Sequence, residues 1–331
     1  MAVFHPDLCP KARFLPRSVH PRLIVGLLKL RARLRGSTRT PALPTVDGVT
    51  VRDFWVPSET EAHSVRVRLF QPERAPHAVP ALLWLHGGGF VMGDPEMDEI
   101  NNIAMVRDAG IAVAAVDYRL APRHRFPVPL DDCYTALSWL TREAGSLGVQ
   151  PDRIAVGGSS AGAGLAAGLV LMAHDRQELP VAFQMLLYPM LDDRTVLRTD
   201  IDMSNVRLWD NNSNRYGWSA YLGRDPGGAG VNPYAAPARR ADLTGLPPTW
   251  MGMGTFDLFH DEDLAYARRL IESGVPCELH VVEGAYHGFD LFSPNANVVR
   301  QFRQGYVDAL RRALWPQTSI SISQTLLLGT P

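Results

Sequence analysis

Residues 153–162 read RIAVGGSSAG, and this stretch decides which fold the remaining chain has to support. An apolar run ends in the pattern G-x-S-x-G, which is centred on Ser160. In that pattern a strand turns sharply into a helix, and the serine adopts a strained backbone that lifts its hydroxyl above the sheet. The frame centred on Ser159 ends in Ala161 instead of glycine, so Ser160 is the candidate nucleophile. The pattern also occurs by chance, and the chain must therefore supply an acid, a histidine and an oxyanion hole.

Apolar runs without polar alternation recur after residue 80 and are separated by segments with helical patterns. Such runs are typical of strands buried on both faces of a parallel sheet, and their alternation with helices predicts right-handed crossovers. Residues 49–56 and 64–70 predict instead an antiparallel hairpin near the sheet edge, because polar and apolar residues alternate in the second segment. The other predicted strands are 81–85, 111–116, 154–156, 183–188, 249–253 and 277–282, and the predicted helices are about 95–109, 129–145, 161–174, 261–274 and 295–313.

The composition is that of a soluble globular protein with a sizeable core. The chain has 331 residues, of which 46% are hydrophobic and 20% are charged. Its formal net charge of −1 provides no basic surface for nucleic acid. No apolar stretch has the length of a membrane span, and the first residues lack the pattern of a secretory signal. The three cysteines, Cys9, Cys133 and Cys277, lack zinc-like spacing and indicate reduced thiols, so we expect a cytoplasmic protein without a metal site.

Both chain ends and one internal segment extend beyond the predicted sheet. Leucines at positions 23, 27, 30 and 34 recur at helical spacing among basic residues, which predicts a helix docked on its own protein. A basic helix that lies on a membrane surface is the alternative. Residues from 190 to about 248 are too many for a plain loop and predict additional helices. The tail, residues 315–331, is compatible with an added strand or with a disordered end.

A glycine-rich loop, His86-Gly87-Gly88-Gly89-Phe90, follows the predicted strand 81–85. Three consecutive glycines leave backbone amides unshielded, as donation to a developing oxyanion requires. Glycine-rich loops also bind phosphate, but the lysine and the serine or threonine of a P-loop are absent, as is the dinucleotide spacing. The histidine at position 86 is a rival catalytic base, but its place directly before the loop favours a structural role through hydrogen bonds. The loop is therefore the candidate oxyanion hole.

Together these motifs resemble those of the hormone-sensitive-lipase-like (bacterial family IV) esterases of the α/β-hydrolase superfamily. The resemblance rests on the loop 86–90 and the elbow 158–162, and it spans residues from about 50 to 313. One departure from the family is Ser159, because a frequent form of the elbow has an acidic residue before the nucleophile. The reaction rate and pH profile of the family are therefore a weaker guide to those of this chain. The further matching motifs are Asp117-Tyr118-Arg119-Leu120-Ala121-Pro122, Phe126-Pro127, Asp131-Asp132, Gly245-Leu246-Pro247-Pro248, Gly254-Thr255-Phe256-Asp257 and Tyr286-His287-Gly288-Phe289.

The resemblance implies an α/β-hydrolase fold, in which helices flank a mostly parallel central sheet and a helical cap covers one end. The cap is expected to come from N-terminal helices in residues 1–45 and from the insertion 190–230. The catalytic domain is then expected to comprise residues 46–189 and 231–314.

Asp257 and His287 are the candidate acid and base. Each follows a predicted strand, so both are expected beyond the carboxyl ends of strands, where open α/β sheets bind ligands. The order Ser160, Asp257, His287 is that of α/β hydrolases. Other acids are rivals for the role of Asp257. Asp261, Glu262 and Asp263 are expected to stabilise the N-terminus of a predicted helix, and Asp192 and Asp193 follow another strand. Asp117 and Asp131 are expected to hold a loop through Arg119 or Arg123.

The candidate residues predict a serine carboxylesterase that works through an acyl-enzyme intermediate, without a metal or an organic cofactor. His287 would remove the proton of Ser160, and Asp257 would orient the imidazole and stabilise its charge. The resemblance implies oxyanion donors on the backbones of Gly88, Gly89 and Ala161.

The resemblance also implies a small-molecule ester substrate beneath the cap. We expect short to medium acyl chains, because a confined pocket excludes long ones. The candidate substrate contacts are Phe90, Trp209 and Trp218, although packing within the cap explains the two tryptophans equally well. The main alternative is an amidase or deacetylase that uses the same residues. A non-catalytic receptor on this fold is disfavoured because all three candidate catalytic residues are present, and homodimers are common in the family.

Overall fold

The computed structural model describes residues 3–18, 43–44, 46–58 and 61–315. The predicted helix with leucines at positions 23 to 34 and the tail from residue 316 lie outside these ranges. Within them, one large sheet organises the molecule, and helices cover both of its faces.

The described ranges contain eight strands, whose spatial order differs from their order in the chain. They are β1 (Val49–Pro57), β2 (Ser64–Pro72), β3 (Val79–Leu85), β4 (Ala112–Asp117), β5 (Val149–Ser159), β6 (Phe183–Leu187), β7 (Thr249–Phe256) and β8 (Cys277–Tyr286). The spatial order is β1-β2-β4-β3-β5-β6-β7-β8. β1 pairs antiparallel with β2, and β2 pairs antiparallel with β4, whereas all other neighbours are parallel. The predicted edge hairpin and the mostly parallel sheet are therefore confirmed.

The helices cover the sheet in two layers. In the described ranges they are α1 (Cys9–Ala12), α2 (Glu99–Ala109), α3 (Val128–Arg142), α4 (Ala144–Leu147), α5 (Ala161–Arg176), α6 (Asn211–Leu222), α7 (His260–Glu272), α8 (Phe289–Phe292) and α9 (Asn297–Leu314). The crossovers from β3 to β4 and from β4 to β5 run in opposite directions, so right-handed connections place α2 and α3 on opposite faces. α9 contacts α2 on one face, and α5 contacts α3 on the other.

This reversal of direction creates a crevice between the carboxyl ends of β3 and β5. Open α/β sheets bind ligands at such a switch point, because the chains that leave the two strands diverge there. The chain that leaves β3 is the glycine-rich loop 86–90, and the chain that leaves β5 enters the elbow at Ser160. The topology thus brings together the two motifs that the sequence analysis singled out.

The insertion and the N-terminal segment lie against each other. The insertion contains a 3-10 turn at Asp193–Leu197 and helix α6. Within residues 3–18, the amide of His5 donates to Gly284 O at the end of the sheet, over 3.0 Å. The carbonyl of Pro16 accepts a 3.0 Å hydrogen bond from the amide of Leu208 in the insertion. Residues 3–18 therefore connect the insertion with the sheet.

Candidate active site

The elbow places Ser160 between a buried strand and a buried helix. β5 ends at Ser159, α5 begins at Ala161, and Ser160 between them has φ 53° and ψ −121°. A positive φ is strained for serine, and such strain occurs where a structure holds a functional group in place. A Cβ atom at Gly162 would lie 2.1 Å from Leu85 O and 2.3 Å from His86 O. Glycine is therefore required at that position, because the helix passes against the loop that leaves β3.

The structure brings the three predicted catalytic side chains into one hydrogen-bonded chain. Ser160 Oγ lies 2.9 Å from His287 Nε2. His287 Nδ1 lies 2.8 Å from Asp257 Oδ2, and the other oxygen of this carboxylate accepts a 2.9 Å bond from the amide of Phe259. All three side chains are buried. With Nδ1 protonated towards Asp257, His287 Nε2 is the acceptor that can take the serine proton.

Most of the rival acids have other partners, whereas the buried Asp263 has no hydrogen-bond partner among the described residues and none to His287. Asp261 accepts a hydrogen bond from His260 and forms an ion pair with Arg198. Asp192 caps the 3-10 turn through the amide of Arg194, and the buried Asp193 pairs with Arg239. Glu262 binds backbone amides of the insertion, a role that the helix-dipole interpretation did not include. The chain from Ser160 through His287 therefore ends at Asp257.

The expected partners of Arg119, Asp117 and Asp131, are wrong. Arg119 forms a bidentate pair with Asp132, at 2.9 and 2.8 Å, and a further pair with Glu61. Asp117 pairs instead with Arg66. Asp132 is the partner because its buried carboxylate also accepts a hydrogen bond from the backbone amide of Arg119, at 2.9 Å.

The glycine-rich loop folds into a tight turn beside the elbow. The carbonyl of Gly88 accepts hydrogen bonds from the amides of Val91 and Met92, at 3.1 and 3.2 Å. Gly88 and Gly89 have φ values of 114° and 59°, which favour glycine. A Cβ at Gly88 would lie 2.1 Å from Met92 O. The loop therefore depends on glycine for its shape as well as for unshielded amides.

His86 holds this loop from below. Its ring is buried and stacks on Tyr118 with 4.2 Å between ring centroids, and its Nδ1 donates to Gly87 O over 2.7 Å. The hydroxyl of Tyr118 donates to His86 O over 2.6 Å. Burial lowers the pKa of His86 to about 4, which keeps the ring neutral near pH 7. These contacts agree with a structural role for this histidine.

Comparison with known proteins decides the family. A family model described as an alpha/beta hydrolase fold matches residues 82–291. The chain belongs to this α/β-hydrolase family. The matched range begins in β3 and ends just beyond His287, so it includes the loop, the elbow and the residues that hydrogen-bond to Ser160. The predicted fold class is confirmed.

Relatives of this α/β hydrolase include several esterases. Esterase LipI from Mycobacterium tuberculosis is 31% identical over 271 residues, which cover 80% of this chain and 81% of that protein. An ethyl acetate hydrolase from Pseudomonas putida is 32% identical over 232 residues, which cover 69% and 72%. Among solved structures, a bacterial heroin esterase superposes with a TM-score of 0.85 at 38% identity, covering 95% of this chain and 99% of the other. These similarities confirm the predicted enzyme class, a carboxylic ester hydrolase, and the resemblance to hormone-sensitive-lipase-like esterases.

Two aromatic residues that no sequence motif marks contact the imidazole of His287 in this α/β hydrolase. The ring of His287 meets Tyr188 and Phe259 edge to face, with centroid distances of 5.0 and 5.3 Å. The hydroxyl of Tyr188 donates to the buried Asp290 over 2.8 Å. Tyr188 has φ 38°, a strained value directly after β6. The only signal in the sequence was position, since Tyr188 ends a predicted strand and Asp290 follows His287 by three residues.

The three candidate substrate residues lie where the insertion meets the glycine-rich loop. Phe90 stacks on Tyr221 at 4.1 Å and contacts Trp218 at 5.2 Å, and all three rings are buried. The indole of Trp209 covers Gly89, where a Cβ would lie 2.1 Å from its Cη2 atom. Packing between the loop and the insertion therefore accounts for much of the buried surface of Phe90 and Trp218.

A cavity of about 930 Å³ opens beside the glycine-rich loop, but Ser160 does not line it. Val91 and Tyr118 form part of its wall, together with Tyr216 of the insertion. In the described part of the chain, no group of three or more metal-ligating side chains is arranged to hold an ion. Among the helices of the same ranges, none combines the length and the hydropathy that a membrane span requires.

Proposed function

We propose that this chain is a serine carboxylesterase that hydrolyses short- to medium-chain acyl esters through an acyl-enzyme intermediate. The observation that supports the proposal most strongly is the chain of hydrogen bonds from Ser160 Oγ through His287 to Asp257, with distances of 2.9 and 2.8 Å. A serine hydroxyl is a weak nucleophile unless a base removes its proton during attack. The esterase relatives support the same class of reaction.

In the first half of the reaction, His287 Nε2 takes the proton of Ser160 as Oγ attacks the ester carbonyl. Asp257 holds Nδ1–H and stabilises the positive charge on the imidazolium. The tetrahedral intermediate collapses when the C–O bond to the alcohol breaks and the imidazolium returns its proton to the leaving oxygen. The products of this half are the free alcohol and an acyl group on Ser160.

In the second half of the reaction, water is the nucleophile and the oxygen of Ser160 is the leaving group. His287 removes a proton from water, which attacks the acyl carbon, and the Ser160 oxygen leaves with that proton. The free acid departs, and the hydrogen-bonded chain is restored.

Backbone amides are the proposed donors to the oxyanion. Those of Gly88 and Gly89 lie on the turn beside the elbow, and that of Ala161 begins α5, where amides lack partners within the helix. Each such donor contributes about 3 kcal/mol to lowering the barrier. The helix N-terminus adds its partial positive charge in the same place.

The preference for shorter acyl chains is argued from the proposed cap. We infer that N-terminal residues and the insertion 190–230 together cover the crevice, because residues 3–18 bind the insertion and Trp209 lies on Gly89. Large buried aromatic rings leave little width above the loop. The name of the ethyl acetate hydrolase relative supports the same preference. No contact in the described ranges favours the amidase alternative.

A panel of p-nitrophenyl esters from acetate to palmitate tests this proposal. We expect kcat/KM to peak between acetate and octanoate, and Ser160→Ala to lower it at least about 1000-fold on every ester. Ser159→Ala is the matched control, because Ser159 is buried in the same elbow, and it should stay within about threefold of the wild type. Wild-type turnover in Ser160→Ala would refute the nucleophile, and a peak at palmitate would refute the chain-length preference.

A further inference from the structure

One face of helix α6 lies against the glycine-rich loop. At Gly217, a Cβ atom would lie 2.9 Å from Gly89 O and 3.3 Å from the indole of Trp209, so backbone and loop are in contact there. Trp218, the next residue, packs against the ring of Phe90. This face of α6 therefore forms the roof over the proposed oxyanion donors.

Asn214 lies in the centre of that face. It precedes Gly217 by three residues and Trp218 by four, and residues at these spacings share one side of a helix. The side chain of Asn214 is completely buried. Neither its Nδ2 nor its Oδ1 atom has a hydrogen-bond partner among the described residues. A short polar side chain is thus enclosed on the roof of the crevice with its whole amide unused.

The same roof holds further unused polar atoms. The indole Nε1 atoms of Trp209 and Trp218 and the hydroxyl of Tyr221 are also buried without a partner among the described residues. Three of these atoms, the two indole nitrogens and Asn214 Nδ2, can only donate. A group that satisfies them must therefore offer acceptor oxygens.

Leaving such atoms unpaired opposes folding. Each buried polar group without a partner costs about 1–3 kcal/mol relative to a paired one, and an apolar side chain of the same shape avoids the cost. Proteins tolerate this cost at sites where a ligand supplies the missing partner. Asn214 lies one turn of α6 before Gly217, which contacts the loop that is proposed to hold the ester carbonyl, so we infer that the ligand is the substrate.

We propose that the amide of Asn214 donates a hydrogen bond to a second oxygen of the substrate, a few bonds from the reacting carbonyl. The favoured substrates are esters that carry an ether, hydroxyl or carbonyl oxygen on the acyl or the alcohol part, in preference to plain alkyl esters. This inference rests on the proposed function, because it deepens the substrate class of the same site.

Two isosteric pairs of substrates test the inference. On the acyl side, p-nitrophenyl 3-methoxypropanoate is compared with p-nitrophenyl pentanoate, in which a methylene replaces the ether oxygen. On the alcohol side, 2-methoxyethyl butanoate is compared with butyl butanoate, which are followed by release of acid. The measured quantity is the ratio of kcat/KM for the oxygen-bearing ester to that for its alkyl partner.

Asn214→Leu removes the amide and keeps the size of the side chain. We expect this variant to lower the ratio about five- to tenfold for at least one pair, the effect of one lost neutral hydrogen bond. Asn102→Leu is the matched control, because Asn102 is also a buried asparagine without partners, but it lies on α2 in another layer. The control should leave both ratios unchanged. Equal ratios in the wild type and in Asn214→Leu for both pairs would overturn the inference.

Stability distinguishes a ligand-binding amide from a structural one. If the amide of Asn214 has no hydrogen-bond partner until substrate binds, Asn214→Leu removes an unpaired buried group. The melting temperature without substrate then stays the same or rises. A lower melting temperature would show that the amide is satisfied within the folded protein, for example by an enclosed water, and would overturn the inference. Its failure is separate from that of the proposed function, because the latter fails only if Ser160→Ala keeps the turnover of these same esters.

Discussion

A single buried carboxyl group, that of Asp98, is expected to govern part of the pH response of the protein. Asp98 lies in the core, where Oδ2 accepts a 2.8 Å hydrogen bond from the indole of Trp84. Burial raises the pKa of Asp98 to about 6, and the carboxylates of Asp290 and Asp94 reinforce the shift. In the unfolded chain the pKa of this group returns to its ordinary value of 3.8. The folded protein therefore keeps a proton on Asp98 that the unfolded chain loses.

From this difference we predict that Asp98 lowers stability as the pH rises. Between about pH 4 and pH 6 the folded state binds more protons than the unfolded state, so the free energy of unfolding falls with increasing pH. The loss reaches about 2–3 kcal/mol by pH 7. Asp98→Asn keeps an acceptor for Trp84 but does not titrate, so it should gain that amount relative to the wild type between pH 4 and pH 7.

Urea unfolding at the two pH values measures this gain. Asp108→Asn is the control, because Asp108 is exposed on the helix that follows Asp98. A difference between Asp98→Asn and the wild type that is the same at both pH values would contradict the prediction.

The residues proposed to do chemistry were accessible from the sequence, and those that hold them were not. Ser160, Asp257 and His287 each follow a strand in a recognisable motif, so their convergence could be predicted from topology. Tyr188 and Asp290 support the imidazole through a contact between positions 102 residues apart. No local pattern marks such a pair, because a tyrosine at the end of a strand and an aspartate after a glycine have many uses. For the same reason, the side chain of Asp132 rather than that of Asp131 was found on Arg119 only in the structure.

At the scale of elements, Glu262 joins helix α7 to the start of the insertion. Its Oε1 atom accepts hydrogen bonds from the amides of Leu191 and Asp192, at 2.7 and 3.1 Å, and its Oε2 atom accepts one from the hydroxyl of Thr195. Burial raises the pKa of Glu262 well above its usual value. Since Asp257 lies five residues before Glu262, this contact fixes the insertion close to the proposed catalytic acid.

We predict that hydrogen bonding, rather than charge, makes Glu262 important. Glu262→Leu leaves the buried amide of Leu191 and the half-buried amide of Asp192 without an acceptor and should cost about 2–5 kcal/mol of stability. Glu262→Gln can accept from both amides through its carbonyl and donate to Thr195, so it should cost less than about 1 kcal/mol. Chemical unfolding of the two variants gives the comparison. Equal losses in both variants would instead assign the effect to the charge.

Sequence patterns predicted the elements of the sheet better than those of the insertion. Most of the strands β3 to β8 were recognisable from short apolar runs, and all seven residues of β3 are indeed buried. Burial on both faces is wrong for β8, because this strand lies at the edge of the sheet and Glu278 and His280 interrupt its apolar residues. The ends of the strands shift by a few residues, and β5 begins at Val149, five residues before the predicted start. The insertion between residues 190 and 248 has no such period, since its aromatic side chains contact the loop 86–90 rather than a regular layer. Its helices were expected, but their positions were not.

At the scale of the whole molecule, residues 3–18 bind elements that are far apart in the chain. Leu8 is completely buried, and the amide of Val298 in α9 donates to Asp7 Oδ2 over 3.1 Å. The ring of Phe4 meets Phe256 and Tyr286 edge to face. In the insertion, Arg207 donates to Ala12 O over 2.9 Å, and its guanidinium lies 4.7 Å from the centre of the Phe4 ring. This segment is therefore part of the core, and its loss affects both the sheet and the insertion.

We predict that Leu8→Ala destabilises the whole protein, because removing a fully buried leucine side chain costs about 2–5 kcal/mol. The variant should also raise KM, since residues 3–18 hold the insertion that is proposed to cover the substrate. Phe14→Ala is the control, because Phe14 is 89% exposed and its removal should change stability by less than about 0.5 kcal/mol. Urea unfolding and ester kinetics check both variants. Unchanged stability in Leu8→Ala would show that the segment does not belong to the folded core.

These contacts also constrain the order in which the protein can fold during its synthesis. During translation residues 3–18 leave the ribosome before the sheet exists, and their acceptor at Gly284 and their donor at Val298 are made only after strands β1 to β7. Until then the segment can bind the insertion, through Pro16 O and Ala12 O, but it cannot bind these parts of the sheet and of α9. The insertion, which is made earlier, gains its link to the sheet through this segment only then. A nascent chain that stops before residue 284 therefore lacks both the proposed base, His287, and the contact that joins residues 3–18 to the sheet, so we expect hydrolysis of esters to begin only after both have been made.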